Sequence, residues 1–220
     1  MTAKCEITVR DKDHPDGYVY IDIEKATIGQ GYLVEPQKVP FWEGETLADV
    51  MPRFFDSVNL EEKAGGSGYG YYLSAINDTE GSLTAEFPEY IKNAAGSSLE
   101  DTRSTSWLGE FDYSFMSGWV FKVNNVHSPV GASGVTLENN MAVRWAFTVW
   151  GYGSDCWNTG WGDVYVPEDA NRDQLMKYIA DFNAREDKEA LLENNSHMKS
   201  IYEELLAMGT DYTYSQEQID

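Results

Sequence analysis

The sequence predicts an α+β fold in which a β-rich first part is followed by a C-terminal helical hairpin or tail. Hydrophobic and polar residues alternate over most of the first two thirds of the chain, which is typical of half-buried strands. Beyond that point apolar residues recur every three or four positions, as in amphipathic helices. We therefore divide the chain into residues 1–166 and a helical tail or spacer, residues 167–220.

The strand predictions rest on runs of alternating residues. They cover residues 5–10, 18–24, 71–76, 119–123 and 143–149. The last two runs alternate most regularly and are the strongest predictions. Residues 84–93 are expected to form a short helix or an edge strand, and residues 94–103 a loop. The glycine-rich residues 65–70 precede a strand, whereas a phosphate-binding glycine loop opens a helix.

One helix is predicted inside the first part, from Thr46 to about Val58. Thr46 can cap its amino end, and Asp49 lies three residues later, as in a capping box. The apolar residues Leu47, Val50, Phe54 and Val58 share one face. Pro52 conflicts with this prediction, because proline removes a helical hydrogen bond and its ring crowds the preceding turn.

Two helices are predicted in the tail. The first is capped by Asp169 or Asn171, and the second begins near Ser196. Their apolar faces are Leu175, Ile179 and Phe182 in the first, and Met198, Ile201, Leu205 and Leu206 in the second. Ser215 and Gln218 have the spacing of a second capping box beside the last residue, so we expect the natural protein to continue with further domains.

The composition is strongly acidic, with 37 acidic against 16 basic residues and a net charge of −21. This charge repels phosphate backbones and anionic headgroups, so nucleic acid and membrane surfaces are not expected as partners. No apolar run approaches the roughly 20 residues of a membrane span, so no membrane insertion is expected. Residues 1–4 lack the apolar stretch of a signal peptide, as in a cytoplasmic protein or in an exported one without its leader.

The two cysteines, Cys5 and Cys156, lie at opposite ends of the β-rich part. A disulfide between them would close a long loop and contribute about 4 to 5 kcal/mol by the chain-entropy argument. The alternative is two unrelated buried thiols, because sequence alone does not bring their β-carbons together.

Two stretches carry a family resemblance. Residues 117–126 read Ser-Gly-Trp-Val-Phe-Lys-Val-Asn-Asn-Val, and residues 129–137 read Pro-Val-Gly-Ala-Ser-Gly-Val-Thr-Leu. Together with the Trp-containing strand over residues 143–148, they resemble the transcobalamin-like C-terminal domain family of Gram-positive surface proteins and vertebrate cobalamin carriers. The likeness covers roughly residues 5–155. Asn125 stands where the turn of that family usually has glycine, and asparagine also tolerates a left-handed backbone.

The resemblance implies a β-grasp-like mixed sheet crossed by one helix, in an extracellular or cell-surface protein. It makes cobalamin binding one alternative function, since the carriers cover the corrin with their comparable domain. The pattern around residues 173–184 is similar to helical spacer repeats on bacterial surface proteins. A structural spacer or stalk is therefore a second alternative.

Candidate metal and catalytic residues are few. Asp11, Asp13 and Asp16 surround a glycine-containing turn and form a weak candidate calcium site, but their spacing does not match an EF-hand loop. The three histidines are far apart and no paired-cysteine spacing exists, which disfavours zinc. We find no recognisable catalytic set, and we do not expect an enzyme.

Aromatic residues in loops are the remaining candidates for function. We predict ligand contacts from Tyr69, Tyr72, Trp107, Trp150, Tyr152 and Trp157. Rings beside glycines offer a large contact area at low entropy cost, so the expected ligand is a glycan or a small flat molecule. Core filling is the alternative for each ring. The leading hypothesis is a non-catalytic binding or adhesive module of a secreted or cell-surface protein.

Overall fold

The computed structural model describes residues 13–65 and 70–220. In these residues the strands are β1 (Gly17–Glu24), β2 (Tyr32–Phe41), β3 (Glu62–Gly65), β4 (Tyr72–Asn77), β5 (Trp107–Gly109), β6 (Gly118–Val123), β7 (Val126–His127) and β8 (Ala142–Thr148). The helices are α1 (Leu47–Ser57), α2 (Glu89–Ala95), α3 (Asp173–Asn183), α4 (Lys188–Asn194), α5 (Ser196–Thr210) and α6 (Gln216–Ile219).

The strands form two sheets. The larger one has the order β2-β1-β8-β6-β7, and the smaller one the order β3-β4-β5. The larger sheet is mixed, because β1 and β8 run parallel while its other described pairs are antiparallel. The predicted α+β class is confirmed, with its mixed sheet, its crossing helix and a helical C-terminal region.

The main core lies between α1 and one face of the larger sheet. Alternation along β1 sends Val19, Ile21 and Ile23 to this face, where they join one buried cluster with residues of α1 such as Val50 and Phe54. The capping box of Thr46 and Asp49 is confirmed. The helix also continues through Pro52, whose side chain is exposed. Helix α1 therefore accommodates a proline that cannot donate a helical hydrogen bond.

The opposite face of the larger sheet is polar, yet it is also buried. Asp22 and Glu24 of β1, Lys122 of β6 and Arg144 of β8 are each less than 5% exposed. Alternating strands were expected to turn such residues to solvent. That expectation is wrong here because the tail covers this face: Arg144 Nη2 donates to the carbonyl of Gly209 at 2.9 Å.

The tail packs on the sheet through α3, which contacts β2 and β1. Asn183 Nδ2 donates to the carbonyl of Pro36 in β2 at 2.9 Å, and the Tyr212 hydroxyl donates to Glu24 in β1. The division at residues 166 and 167 stays a prediction. None of the helices in the described part of the chain is both long and apolar enough to cross a bilayer.

The strand predictions for residues 18–24, 71–76, 119–123 and 143–149 correspond to β1, β4, β6 and β8. The strand predicted over residues 5–10 lies outside the described residues. Strand β2 escaped prediction because Pro36 and Pro40 interrupt it. It is an edge strand, the position in which a sheet tolerates proline.

Candidate functional site

The structure scatters most of the predicted ligand-contacting rings. Trp107 is half-buried at the start of β5, where Lys63 Nζ lies 3.8 Å from its ring centre. Trp150 is half-buried against Phe115, with ring centres 5.8 Å apart. Tyr152 is 60% exposed. Tyr69 lies outside the described residues.

Trp157 corrects the sequence prediction, because it is only 1% exposed and cannot stack on a ligand in this conformation. The segment after β8 folds back onto the sheet, so that Trp157 and Cys156 pack against Ala146 in a small second core. Its indole Nε1–H donates to His127 Nδ1 at 2.9 Å. Polar neighbours in the sequence wrongly indicated exposure.

Cys156 is buried in this second core and forms no disulfide with any residue that the structure describes. Burial raises its thiol pKa well above the ordinary value, and nearby Asp155 raises it further, so the thiolate is disfavoured. Cys5 lies outside the described residues, and the disulfide therefore stays a prediction.

The candidate calcium turn also falls partly outside the described residues, because Asp11 does. Asp13 is exposed, and Asp16 Oδ2 accepts a hydrogen bond from the backbone N–H of Glu43 at 2.7 Å. Across residues 13–65 and 70–220, no group of three or more histidine, cysteine or acidic side chains is placed to hold a metal ion. Asp16 thus has a structural partner of its own.

A groove lined by aromatic rings lies between β4 and the β6–β7 hairpin, and we call it the Tyr72 groove. Its volume is about 210 Å³. The rings that line it belong to Tyr71, Tyr72, Trp119, Phe121, His127 and Trp145. Of the predicted ligand-contacting residues that the structure describes, Tyr72 alone lines this groove.

The floor of the groove is part of the main core. Trp119 and Phe121 of β6 face Phe147 and Trp145 of β8 as cross-strand pairs, and all four residues are less than 10% exposed. The rings of Phe121 and Trp145 lie 4.6 Å apart. Cross-strand aromatic contacts of this kind hold the floor rigid.

The wall of the groove is formed from β4. Tyr72 is 53% exposed, and its hydroxyl donates to Glu110 Oε1 at 2.5 Å. Partial burial, together with this carboxylate, raises the pKa of Tyr72 to about 12. The Tyr72 ring is therefore neutral, held at its far end and open to a ligand on its exposed side.

Two polar atoms in the groove-lining residues have no partner. In the part of the chain that the structure describes, the buried Nε1–H of Trp145 and the buried hydroxyl of Tyr71 make no hydrogen bond. Trp119 offers a contrast, since its Nε1–H donates to the carbonyl of Leu108 at 3.0 Å. An unpaired buried donor costs about 1 to 3 kcal/mol. Both atoms are inaccessible to solvent, so they lie beneath the surface of the groove.

His127 supplies a third polar group. It lies on β7, after a two-residue turn in which Asn124 and Asn125 both have positive φ, of 48° and 60°. Because Nδ1 accepts from Trp157, the neutral ring carries its proton on Nε2. Burial lowers the pKa of His127, which favours this neutral form.

Sequence reasoning missed His127 and Trp145 as site residues. Trp145 fills the core and is 3% exposed, but the missing partner of its N–H depends on neighbours from other strands. The tautomer of His127 likewise depends on Trp157, which lies 30 positions away in the chain. The sequence of a single strand therefore shows neither the missing partner of Trp145 nor the tautomer of His127.

The Tyr72 groove lies within a part of the chain that matches a known protein family. No curated protein matches the chain. Residues 44–149 match a family described as a domain of unknown function, DUF4430. The matched residues run from just before α1 to just after β8, so they include the elements that line the Tyr72 groove, and they end before the tail. The region that holds the groove is thus similar to this family of unknown function.

Proposed function

We propose that the chain is a non-catalytic binding module whose ligand occupies the Tyr72 groove. One observation carries the proposal: a concave groove has the exposed ring of Tyr72 as its wall and the aromatic residues of β6 and β8 as its floor. Small-molecule sites typically combine apolar walls with a few convergent polar groups.

The groove favours a binding role over catalysis. Its described lining residues include no carboxylate, amine or thiol, and its one histidine has Nδ1 engaged by Trp157. The hydroxyl of Ser128, which also lines the groove, donates to the carbonyl of Val130 at 2.8 Å. General acid–base or nucleophilic chemistry needs such a group within reach of a second one. The acidic composition and the likeness to surface proteins support an extracellular or cell-surface location.

The size of the groove constrains the ligand. A volume of about 210 Å³ lies below the roughly 300 to 1,000 Å³ of typical small-molecule pockets. This is room for one ring of a glycan or of a small flat molecule, whereas a corrin is far larger. The groove therefore favours a glycan or a flat molecule over cobalamin.

Titration of the full chain tests the proposal, with intrinsic tryptophan fluorescence and calorimetry as readouts. The ligands are a glycan panel, planar molecules such as adenosine and riboflavin, and cyanocobalamin. We expect at least one glycan or planar molecule to bind, and Tyr72→Ala to weaken that binding at least about tenfold, since aromatic contacts of this kind contribute roughly 1 kcal/mol beyond the buried area.

Tyr152→Ala is the matched control, because Tyr152 is similarly exposed and lies outside the groove. It should bind like the unchanged protein. Binding that depends on Tyr152 but not on Tyr72 would place the site in the loop after β8. Absence of binding by every glycan and every planar molecule would overturn the proposal.

A further inference from the structure

We propose that two loops at one end of the larger sheet form a docking surface for a partner protein that presents arginine or lysine among apolar side chains. The loops are residues 110–117, between β5 and β6, and residues 149–154, after β8. Four rings of these loops make up what we call the loop-ring surface: Phe111, Phe115, Trp150 and Tyr152. None of them lines the Tyr72 groove, so this surface is separate from the binding function proposed above.

The two loops lie side by side in the fold. The first residue of β6 pairs with the last residue of β8, so the chain enters β6 where it leaves β8. The hydroxyl of Ser114 in the first loop donates to the carbonyl of Val149 in the second. The rings of Phe115 and Trp150 meet edge to face, with centres 5.8 Å apart. Residues distant in sequence therefore contribute to one surface.

Three of the four rings stand mostly in solvent. Phe111, Phe115 and Tyr152 are 71%, 61% and 60% exposed. Large apolar side chains in water forgo the stabilisation that burial would give, and a group of them often marks a protein interaction site. Aromatic residues are also enriched at the centres of protein–protein contacts, where they contribute much of the binding energy.

The backbone of the two loops is fixed in an unfavourable conformation. Phe111 and Tyr152 have φ of 66° and 53°, in the left-handed region that bulky side chains rarely adopt. Such residues persist only where the surrounding structure holds them. In the second loop, buried Asp155 accepts from the backbone N–H groups of Val149 and Trp150, at 2.8 and 2.9 Å. The fold thus keeps these rings exposed at a cost in stability.

The charges around the loop-ring surface favour a cationic partner. Residues 104–121 and 145–171 contain no lysine or arginine, whereas Glu110 and Asp112 flank Phe111. Elsewhere the chain places its own cations over rings, as Lys63 Nζ lies 3.8 Å from the centre of Trp107. Among the described residues, no such contact reaches the loop-ring surface. An aromatic face beside carboxylates attracts an arginine or lysine side chain.

The net charge of the whole chain disfavours other occupants. At −21 it attracts a basic partner over the screening length and repels a second copy of the chain. Anionic lipid headgroups are repelled for the same reason. A basic protein segment with apolar side chains therefore matches both the rings and the charge.

The test uses the full chain and random peptides displayed on phage. Peptides selected on the protein are synthesised and titrated by calorimetry. We expect them to be positively charged, with arginine or lysine beside apolar residues, and to bind more weakly as the salt concentration rises. Phe111→Ala combined with Phe115→Ala should weaken this binding at least about tenfold, since exposed rings of this kind dominate protein contacts.

Tyr178→Ala is the matched control, because Tyr178 is 64% exposed and lies on α3, outside the two loops. It should bind the peptides like the unchanged protein, and circular dichroism melting checks that each variant is folded. The double variant should leave any ligand binding by the Tyr72 groove unchanged, so the two proposals can fail independently.

Four outcomes would overturn the proposal. Failure to obtain any peptide whose binding depends on Phe111 and Phe115 would remove the docking surface. Ring-dependent binding of neutral or acidic peptides would remove the cationic partner. Ring-dependent binding to phosphatidylcholine vesicles, without peptide binding, would assign the rings to a lipid surface. A dimer seen by analytical ultracentrifugation and lost in the double variant would assign them to a second copy of the chain.

Discussion

The indole Nε1–H of Trp157 donates to Nδ1 of His127 at 2.9 Å, so a buried residue outside the Tyr72 groove sets the protonation of a residue that lines it. The bond requires an unprotonated Nδ1, which is present only in the neutral ring with its proton on Nε2. Burial acts in the same direction, because it lowers the pKa of His127. The hydrogen bond and the burial therefore both favour the neutral ring, and the hydrogen bond sets its tautomer.

We predict that His127 makes the free energy of unfolding depend on pH below about 6.5, its ordinary pKa. The folded pKa is lower than the unfolded one, so the unfolded chain takes up the proton first as the pH falls. The stabilisation is present above pH 6.5 and is lost as the pH falls toward the folded pKa. Urea unfolding of the unchanged protein and of His127→Gln between pH 5 and pH 8 measures this effect.

Other groups titrate in the same range, but they are common to both proteins. The difference in unfolding free energy between the two proteins therefore isolates His127, and it should shrink as the pH falls below 6.5. A difference that stays constant from pH 8 to pH 5 would show that the imidazole has the same pKa in the folded and the unfolded protein.

Trp119 and Trp145 allow a matched comparison of a satisfied and an unsatisfied indole in one core. Trp119→Phe removes the hydrogen bond from the indole to the carbonyl of Leu108. Trp145→Phe removes a donor that has no partner in the described structure. We therefore expect Trp119→Phe to lower the free energy of unfolding by roughly 1 to 3 kcal/mol more than Trp145→Phe. Equal losses in urea unfolding would contradict the assignment of Trp145 Nε1–H as unpaired.

The strongly alternating segments of the fold could be predicted from sequence because each strand carries its own pattern. Strands β6 and β8 present rings on one face at every second position, and this pattern survives any arrangement of neighbours. Strand β2 could not be predicted, since Pro36 and Pro40 are acceptable only because no described strand pairs with its outer edge. The edge position depends on the order of the strands in the sheet and not on the sequence of β2 itself.

The site was less predictable than the fold. Tyr72 and Trp157 were both predicted to contact a ligand, and the structure leaves Tyr72 53% exposed but buries Trp157. Both stand among polar residues and glycines, and only the packing of the segment after β8 distinguishes them. The open donors of Trp145 and Tyr71 are defined by missing partners, which no local pattern records.

We predict that Pro52→Ala stabilises the protein. Pro52 lies inside α1 with its side chain exposed, and a proline there cannot donate to the carbonyl of the preceding turn. Alanine restores that bond, and we expect a gain of roughly 1 to 3 kcal/mol after allowing for the greater freedom of the unfolded chain. Thermal unfolding is the measurement. Pro15→Ala, in the loop before β1, is the control and should not stabilise the protein. A loss of stability in Pro52→Ala would mean that α1 is distorted at this point.

The buried pair of Asp22 and Arg144 predicts a pH dependence of opposite sign to that of His127. Their side chains approach to 3.0 Å between Nε and Oδ2, beneath the tail. Burial raises the pKa of Asp22 from 3.8 to about 7, although Arg144 opposes the shift. The folded protein therefore takes up this proton before the unfolded chain does, and the stabilisation is lost as the pH rises from about 4 to about 7.

Asp22→Asn tests the origin of this slope. Asparagine does not titrate, so the free energy of unfolding should fall less steeply between pH 4 and pH 7 than in the unchanged protein. The slope should not vanish, because burial also raises the pKa values of Glu24 and of Asp155, the latter to about 6. The variant should be less stable at pH 7.5 as well, since Arg144 loses its buried counter-ion. Identical slopes for the two proteins in urea unfolding would show that Asp22 keeps an ordinary pKa, and hence that water reaches the layer between sheet and tail.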